Sequence, residues 1–107
     1  MTNASSNGGP AVNARRQAVQ FPLGQLLATP GAINAMIEAD QNAAEFLRRH
    51  AAGDWGTVDA EDWAANDRAI ELHERILSAY TLKNGARLWI ITEADRGAST
   101  ILLPDEY

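Results

Sequence analysis

Apolar residues recur at helical spacing in the middle of the chain and at strand spacing towards its end. Each helical segment also begins with a residue that can cap free backbone amides. The predicted short helices are residues 30–39 after Thr29, a second helix that is capped by Asp40 or Asn42 and runs through Arg49, and a third that is capped by Asp59 and runs to about His73. Pro30 suits the first helical position, because its missing N–H would have no helical acceptor there.

From Arg75 onward the apolar period changes to two, which predicts strands over residues 76–82 and 87–93. Asn84-Gly85 between them predicts a type I′ hairpin turn. Residues 94–98 form a second connection, in which Gly97 is available for a positive φ. Residues 99–103 predict a third strand. Helices followed by strands predict an α+β fold, with short N-terminal helices before a three-stranded antiparallel meander.

Large apolar side chains lie on both faces of this predicted sheet. We expect Trp89, Ile91, Ile101 and Leu103 to share one face. Three short helices can cover the opposite face. The face that carries Trp89 is therefore expected to be covered by residues 19–27 or by another chain, which includes a homodimer.

The first 17 residues differ from the rest in composition, since they are rich in Asn, Ser, Gly and Ala. They predict a disordered tail before a single α+β domain of residues 18–107. No apolar run approaches the length of about 18 residues needed to span a bilayer, and residues 1–17 have no apolar signal-peptide core. We therefore expect a cytoplasmic protein without membrane contact.

Charge and composition narrow the classes of function. The chain has 14 acidic and 9 basic side chains, a net charge of -5, and no cysteine. A negative chain lacks the cations that drive binding to nucleic-acid phosphates, so direct nucleic-acid binding is not expected. The missing cysteines exclude disulfides, zinc-thiolate sites and thiol nucleophiles. No HExxH motif or Gly-rich phosphate loop occurs, and we predict no catalytic residue, metal ligand or cofactor.

Acidic residues concentrate between positions 54 and 74, where seven acids accompany one base. This region is either a capped helix with a solvated face or a negative surface that attracts a protein partner. A second charged group stands at the end of the middle strand, where Arg96 is expected to pair with a carboxylate and shape the turn. The candidate partner-binding residues are Asp54, Trp55, Asp59, Glu61, Asp62, Asp67, Glu71, Glu93, Asp95 and Arg96.

Two other functions are compatible with the residue types. A small hydrolase or nuclease would use Asp54, His50, Glu93 and Asp95 as acids and bases in one pocket. His50 and His73, however, lie near helix ends where the dipole favours imidazolium, which indicates a structural role. Ser78, Ser99 and Thr100 have no obvious base. A DNA-binding regulator would need its arginines on one face of the protein, namely Arg48, Arg49, Arg68 and Arg87.

Several separated motifs resemble, in order, a family of small, largely uncharacterised bacterial proteins. The motifs are ATPGA at 28–32, RHAAGDWG at 49–56, Glu61-Asp62 with Asn66, LSAY at 77–80, WIITEADR at 89–96 and LLPDEY at 102–107. The family is common on plasmids and other mobile elements and is loosely labelled plasmid-related or restriction-system-associated. The resemblance covers residues 23–107 and implies a role in conflict between mobile elements and host defence.

A methyltransferase or nuclease subunit does not fit, because the chain is short and lacks a cofactor loop or nuclease motif. We therefore predict a non-enzymatic, acidic protein-binding module. The resemblance makes an inhibitor or modulator of a restriction or CRISPR type complex the leading expectation.

Overall fold

The computed structural model describes residues 18–107, which form three helices and four strands. The predicted tail lies outside the described residues. In chain order the elements are β1 (Gln25–Ala28), α1 (Pro30–Glu38), α2 (Ala43–Ala51), α3 (Ala60–Leu72), β2 (Ile76–Thr81), β3 (Arg87–Thr92), β4 (Ala98–Leu102) and a 3-10 helix (Pro104–Glu106). The α+β class is confirmed. No helix within residues 18–107 is long and apolar enough to cross a membrane.

The sheet has four strands in the order β1-β4-β3-β2, and the predicted three-stranded meander is one strand short. Strand β1 pairs in parallel with β4, so that Leu26 lies opposite Ser99 and Ala28 opposite Ile101. The two other pairings are antiparallel. The sheet is therefore mixed. Parallel partners must be joined by a long crossover, and β1 was missed because its partner lies about 70 residues away in the sequence.

Side-chain caps start all three helices, as the sequence predicts. Thr29 accepts from the amide of Ala32, Asn42 from Ala44 and Asp59 from Asp62. The Thr29 hydroxyl also donates to Glu106, which lowers the pKa of that carboxyl group. The start of α1 is thereby tied to the 3-10 helix. Local cap chemistry is sufficient to place these helix starts.

The helices pack on one face of the sheet around two apolar clusters. The larger cluster joins α1 and α2 to the sheet through Ala32, Ala35, Met36, Ala39, Phe46, Tyr80, Leu82, Leu88, Ile90 and Ile101. The smaller one holds Phe21, Trp55, Ala69 and Ile76. Phe21, in the segment before β1, is part of this core. Strand β1 itself forms one edge of the sheet.

The residues on the opposite face of the sheet differ from those predicted to lie there. Trp89 pairs with Leu102 and Ile91 with Thr100, whereas Ile101 pairs with Ile90 on the helix-covered face. Leu103 packs against the larger cluster and also lies on the helix-covered side. A shift of one residue in register reverses every side chain, so the predicted grouping of Ile101 and Leu103 with Trp89 is wrong.

Tyr107 covers part of this second face. Its ring contacts Trp89 with a centroid separation of 5.8 Å, and Arg75 Nη1 donates to its hydroxyl at 2.6 Å. The Arg75 guanidinium also lies 5.2 Å from the ring centroid and pairs with Glu93 at 3.8 Å. The expected cover, residues 19–27, instead supplies Phe21 to the core and β1 to the sheet edge.

Two turns differ in backbone geometry from the sequence expectation. At the β2–β3 hairpin only Gly85 has a positive φ, of 88°, and its amide donates to the carbonyl of Leu82. A type I′ turn needs two positive φ values, so the turn is not of that type. In the β3–β4 connection Arg96, and not Gly97, takes the left-handed conformation, with φ of 61°.

Candidate functional site

The predicted partner region begins at Asp54, in the loop between α2 and α3. Its carboxylate accepts from Arg49 Nε at 2.8 Å and from the amide of Gly56 at 3.1 Å. The Arg49 guanidinium lies 4.6 Å from the centroid of the Tyr80 ring, and the Tyr80 hydroxyl donates to the carbonyl of Asp54. The hydrogen bond with Asp54 raises the pKa of Arg49. Asp54 thus holds the loop against α2.

A surface cavity of about 640 Å³ lies beside this ion pair. Its volume falls in the range of small-ligand sites. Two arginines and two acids line it, so the formal charges of its lining balance and favour neither an anion nor a cation. Its lining residues are Glu45, Arg48, Arg49, Ala52, Gly53, Asp54 and Trp63.

Trp55 and Asp67 form an internal support for α3. The indole of Trp55 is fully buried, and its Nε1–H donates to Asp67 Oδ1 at 2.9 Å. Its ring packs against Phe21 and His50. Trp55 therefore cannot touch a partner directly, and we remove it from the candidate contact residues. The Asp67 carboxylate is occupied by the indole, which weakens its case as a contact residue.

Helix α3 presents the acids that have no internal role. Asp59 caps the helix, whereas Glu61, Asp62 and Glu71 are exposed, and their carboxylates form no hydrogen bond or ion pair within residues 18–107. Glu61, Arg68 and Leu72 lie on one side of α3 by their spacing, with Glu71 beside them. Leu72 is 62% exposed among these charges. We call Glu61, Arg68, Glu71 and Leu72 the α3 surface.

Arg96, in the β3–β4 connection, is an internal anchor. Its side chain is buried, and Nη2 donates to the carbonyl of Ala69 at 2.8 Å while Nη1 donates to that of Glu74 at 2.7 Å. The predicted carboxylate partner is thus replaced by carbonyls at the end of α3, where a cation is favoured. Arg96 shapes the turn as expected, but burial excludes it as a direct contact.

The two acids beside Arg96 have local partners. Asp95 accepts from the amide of Gly97 at 2.8 Å, and Glu93 lies 3.8 Å from Arg75. Glu93 remains half exposed, so its pairing with Arg75 adds little to stability. Both carboxylates stay near the surface. The turn therefore contributes Glu93 and Asp95, but not Arg96, to any contact with a partner.

His50 lies at the centre of a buried hydrogen-bond chain that links α2 to three strands. Its Nδ1 is within hydrogen-bond distance of Ser78 Oγ, and its Nε2 is 2.8 Å from Thr92 Oγ1. Thr92 Oγ1 is in turn 2.6 Å from Ser99 Oγ, which donates to the carbonyl of Leu23 at 2.7 Å. The His50, Ser78, Thr92 and Ser99 side chains are inaccessible to solvent.

The end of this chain assigns the protons of Ser99, Thr92 and His50 Nε2. Ser99 has one hydroxyl proton, which goes to the Leu23 carbonyl, so Thr92 must donate to Ser99. Thr92 then has no proton left, and His50 Nε2–H must donate to Thr92. A neutral His50 ring is therefore protonated on Nε2, and its Nδ1 accepts from Ser78.

Burial explains the charge state of His50. Desolvation lowers its pKa to about 4, so the ring is neutral near pH 7. The expected imidazolium at the end of α2 is wrong, because loss of hydration outweighs the helix dipole for a ring with no exposed surface. Ser78 does have a neighbouring base, contrary to expectation. The pair is sealed under Phe21 and Trp55, where no substrate can reach it.

The residues of the proposed hydrolase do not come together. His50 contacts Ser78 and Thr92 in the core, whereas Asp54 pairs with Arg49, Glu93 with Arg75, and Asp95 with Gly97. No group of three His, Asp or Glu side chains suited to a metal ion occurs in the described part of the chain. The arginines of the DNA-binding alternative are spread over α2, α3 and the start of β3, and that alternative stays a prediction.

Sequence reasoning missed the exposed apolar surface of β1, α1 and the segment before β1. Residues 17–37 contain no charged side chain, yet they supply five of the seven exposed large hydrophobic residues of the described chain. These five are Val19, Leu26, Leu27, Ile33 and Ile37. Leu26 and Leu27 belong to β1, and Ile33 and Ile37 lie four apart on α1. The charge-free run of 21 residues was a visible signal of this surface.

Comparison with protein-family models, curated proteins and solved structures found no match for the chain.

Proposed function

We propose that the protein is a non-enzymatic protein-binding module that contacts its partner through the α3 surface. The observation that carries the proposal is the exposure of Leu72 among charged side chains that have no partner within residues 18–107. Protein interfaces commonly combine an apolar centre with a charged rim. Leu72 supplies such a centre at the end of α3, with Arg68 and Glu71 within about one turn of it and Glu61 about three turns away on the same side.

The charge of this region favours a basic partner. Glu61, Asp62 and Glu71 are exposed, and neighbouring Glu74 adds a further exposed acid at the end of α3. Surfaces of opposite charge attract over several ångströms and raise the rate of encounter. Glu93 and Asp95, at the turn that Arg96 anchors to the end of α3, extend the acidic region.

The separate internal partners of His50, Asp54, Glu93 and Asp95 support a role without catalysis. The resemblance to plasmid-borne proteins favours a host defence complex of restriction or CRISPR type as the partner. The protein would inhibit or modulate such a complex in the cytoplasm of its host. This identification of the partner rests on the resemblance alone.

A pull-down from bacterial host lysate, read out by mass spectrometry, tests the proposal. The variant Glu61→Lys/Glu71→Lys reverses charge on α3, and Glu38→Lys/Asp105→Lys makes the same change in net charge at exposed positions elsewhere. We expect the wild type and the second variant to retain the same partner and the α3 variant to lose it. Recovery of no partner at micromolar protein, or equal loss in both variants, would count against the proposal.

A further inference from the structure

The two edge strands of the sheet, β2 and β1, differ in whether their outward backbone groups are hydrogen-bonded. At the β2 edge, Asn66 donates to the carbonyl of Leu77 at 2.8 Å and accepts from its amide at 3.3 Å. The Ala79 amide donates to the carbonyl of Trp55, and the Ala79 carbonyl accepts from the amide of Thr57, so this loop backbone runs alongside β2. The outward-facing backbone groups of Leu77 and Ala79 are therefore satisfied within the chain, and this edge is closed to another strand.

In the described part of the chain, the β1 edge is open. The amides of Gln25 and Thr29 donate to carbonyls of the β4 side, at Gly97 and Ile101. Alternation along a strand then directs the backbone groups of Leu26 and Ala28 away from β4. Within residues 18–107, no fifth strand lies beyond β1. All four β1 residues are exposed.

The features that normally protect such an edge are largely missing. Charged side chains, prolines and bulges commonly block edge strands, but Gln25–Ala28 contains no charge and no proline. Its short length is its only protection. Leu26 is 54% exposed and Leu27 is 43% exposed, on opposite faces of the strand. An incoming strand would cover both leucines and pair with the open backbone.

Charge selects the occupant of this edge. The chain carries a net charge of -5, so two copies repel each other overall. Residues 17–37 have no charged side chain, and β1 lies in the middle of this run. Two copies can therefore approach along β1 without a charge on the strand itself, although acids stand at its two ends: Glu106 bonds Thr29, and Asp95 lies beside Gly97, which bonds Gln25. A basic partner, in contrast, is attracted to α3 and gains nothing from a neutral strand.

We infer that β1 pairs with β1 of a second copy of this chain, in antiparallel orientation about a twofold axis. Leu26 and Ala28 carry the outward backbone groups, so Leu26 of one copy pairs with Ala28 of the other. The axis then passes between the two Leu27 side chains, which face each other across the junction. The two four-stranded sheets become one eight-stranded sheet. This contact leaves α3 free and does not depend on the function proposed for it.

Sedimentation equilibrium from micromolar to submillimolar protein tests the inference. Leu27→Lys places a charge opposite its own copy at the axis, while Leu72→Lys adds the same charge to an exposed position on α3. We expect the wild type and Leu72→Lys to dimerise, and Leu27→Lys to dimerise about tenfold or more weakly. Circular dichroism melting of each variant confirms that it is folded.

Hydrogen exchange distinguishes strand pairing from other contacts. The amides of Leu26 and Ala28 should become protected as the wild-type concentration rises, while those in Leu27→Lys should stay unprotected. A wild type that is monomeric over the whole range would overturn the inference, as would a dimer that survives Leu27→Lys or dissociates with Leu72→Lys. A stable monomer that still loses its lysate partner on α3 charge reversal would leave the proposed function intact.

Discussion

His50 Nε2 donates to Thr92 Oγ1 across 2.8 Å inside the core, and this bond joins α2 to the central strand β3. The two residues are 42 positions apart in the sequence. The bond needs a proton on Nε2, because Thr92 donates its own proton to Ser99, and a neutral ring leaves Nδ1 able to accept from Ser78. Stability should therefore depend on pH and on the side chain at position 92.

Acid should weaken the fold through His50. Its pKa is about 4 in the folded protein against an ordinary 6.5, so the unfolded chain binds the proton at higher pH. The contribution of His50 to the free energy of unfolding is fully present above pH 6.5. It falls by about 3 kcal/mol as the pH drops towards 4. Urea unfolding at a series of pH values measures the decline.

Two controls accompany this titration. His73→Gln removes the exposed histidine and should leave the decline unchanged. In NMR titrations of the carbon-bound ring protons, the His50 signals should shift with a midpoint near pH 4. A midpoint near the ordinary value for His50, or stability that does not change between neutral pH and pH 5 (about one unit above the folded pKa), would contradict the prediction.

Thr92→Val should destabilise the protein by about 1 to 3 kcal/mol, because it leaves the His50 Nε2–H without an acceptor in the core. It also removes the donor to Ser99. Thr100→Val is the matched control: Thr100 lies on the second face and makes no side-chain hydrogen bond within residues 18–107. Chemical denaturation compares the two. Equal losses would show that the hydrogen-bond chain contributes nothing to stability.

Arg96→Gly should cost about 2 to 4 kcal/mol, since it removes a buried cation that binds several backbone carbonyls. Glycine accepts the positive φ of position 96, so the loss reports the guanidinium and not backbone strain. Arg87→Gly, at an exposed position in β3, should cost about 1 kcal/mol or less. Thermal melting of both variants is the measurement, and similar losses would refute the anchoring role.

Gly56→Ala should be far more damaging than Gly85→Ala, although both glycines have a positive φ. A Cβ at position 56 would overlap the carbonyl oxygen of Ala79 and the ring of Tyr80, whereas one at position 85 meets nothing. We expect about 1 kcal/mol of destabilisation for Gly85→Ala and about 3 kcal/mol or more for Gly56→Ala. Denaturation midpoints compare them, and a mild Gly56→Ala would contradict the close approach of this loop to β2.

The sequence predicted the parts of the fold that depend on neighbouring residues. Thr29, Asn42 and Asp59 cap helices because their oxygens reach amides two or three residues onward. The hairpin position followed from Asn84-Gly85, although the turn type did not. The prediction of β1 failed because a parallel partner is chosen by tertiary packing and leaves no turn signal in the sequence.

The candidate site was predicted less well than the fold. Exposed acids such as Glu61 and Glu71 were identified correctly as surface residues of a helix. The sequence could not show that Trp55 and Arg96 are internal, because a side chain's residue type does not state whether it faces a partner or its own core. The sequence likewise does not distinguish Asp67 from the other acids of the helix, because its hydrogen bond with the Trp55 indole is formed only in the fold.

By itself, the sequence determined the α+β class, the three helix starts, the strand segments from Ile76 onward and the charge-free run that contains β1. These follow from cap chemistry, apolar periodicity and composition, which act over a few residues. Only the tertiary structure decided the register of β4, the neutral state of His50 and the open edge at β1. Each depends on which distant groups share the same buried space, and folding alone brings those groups together.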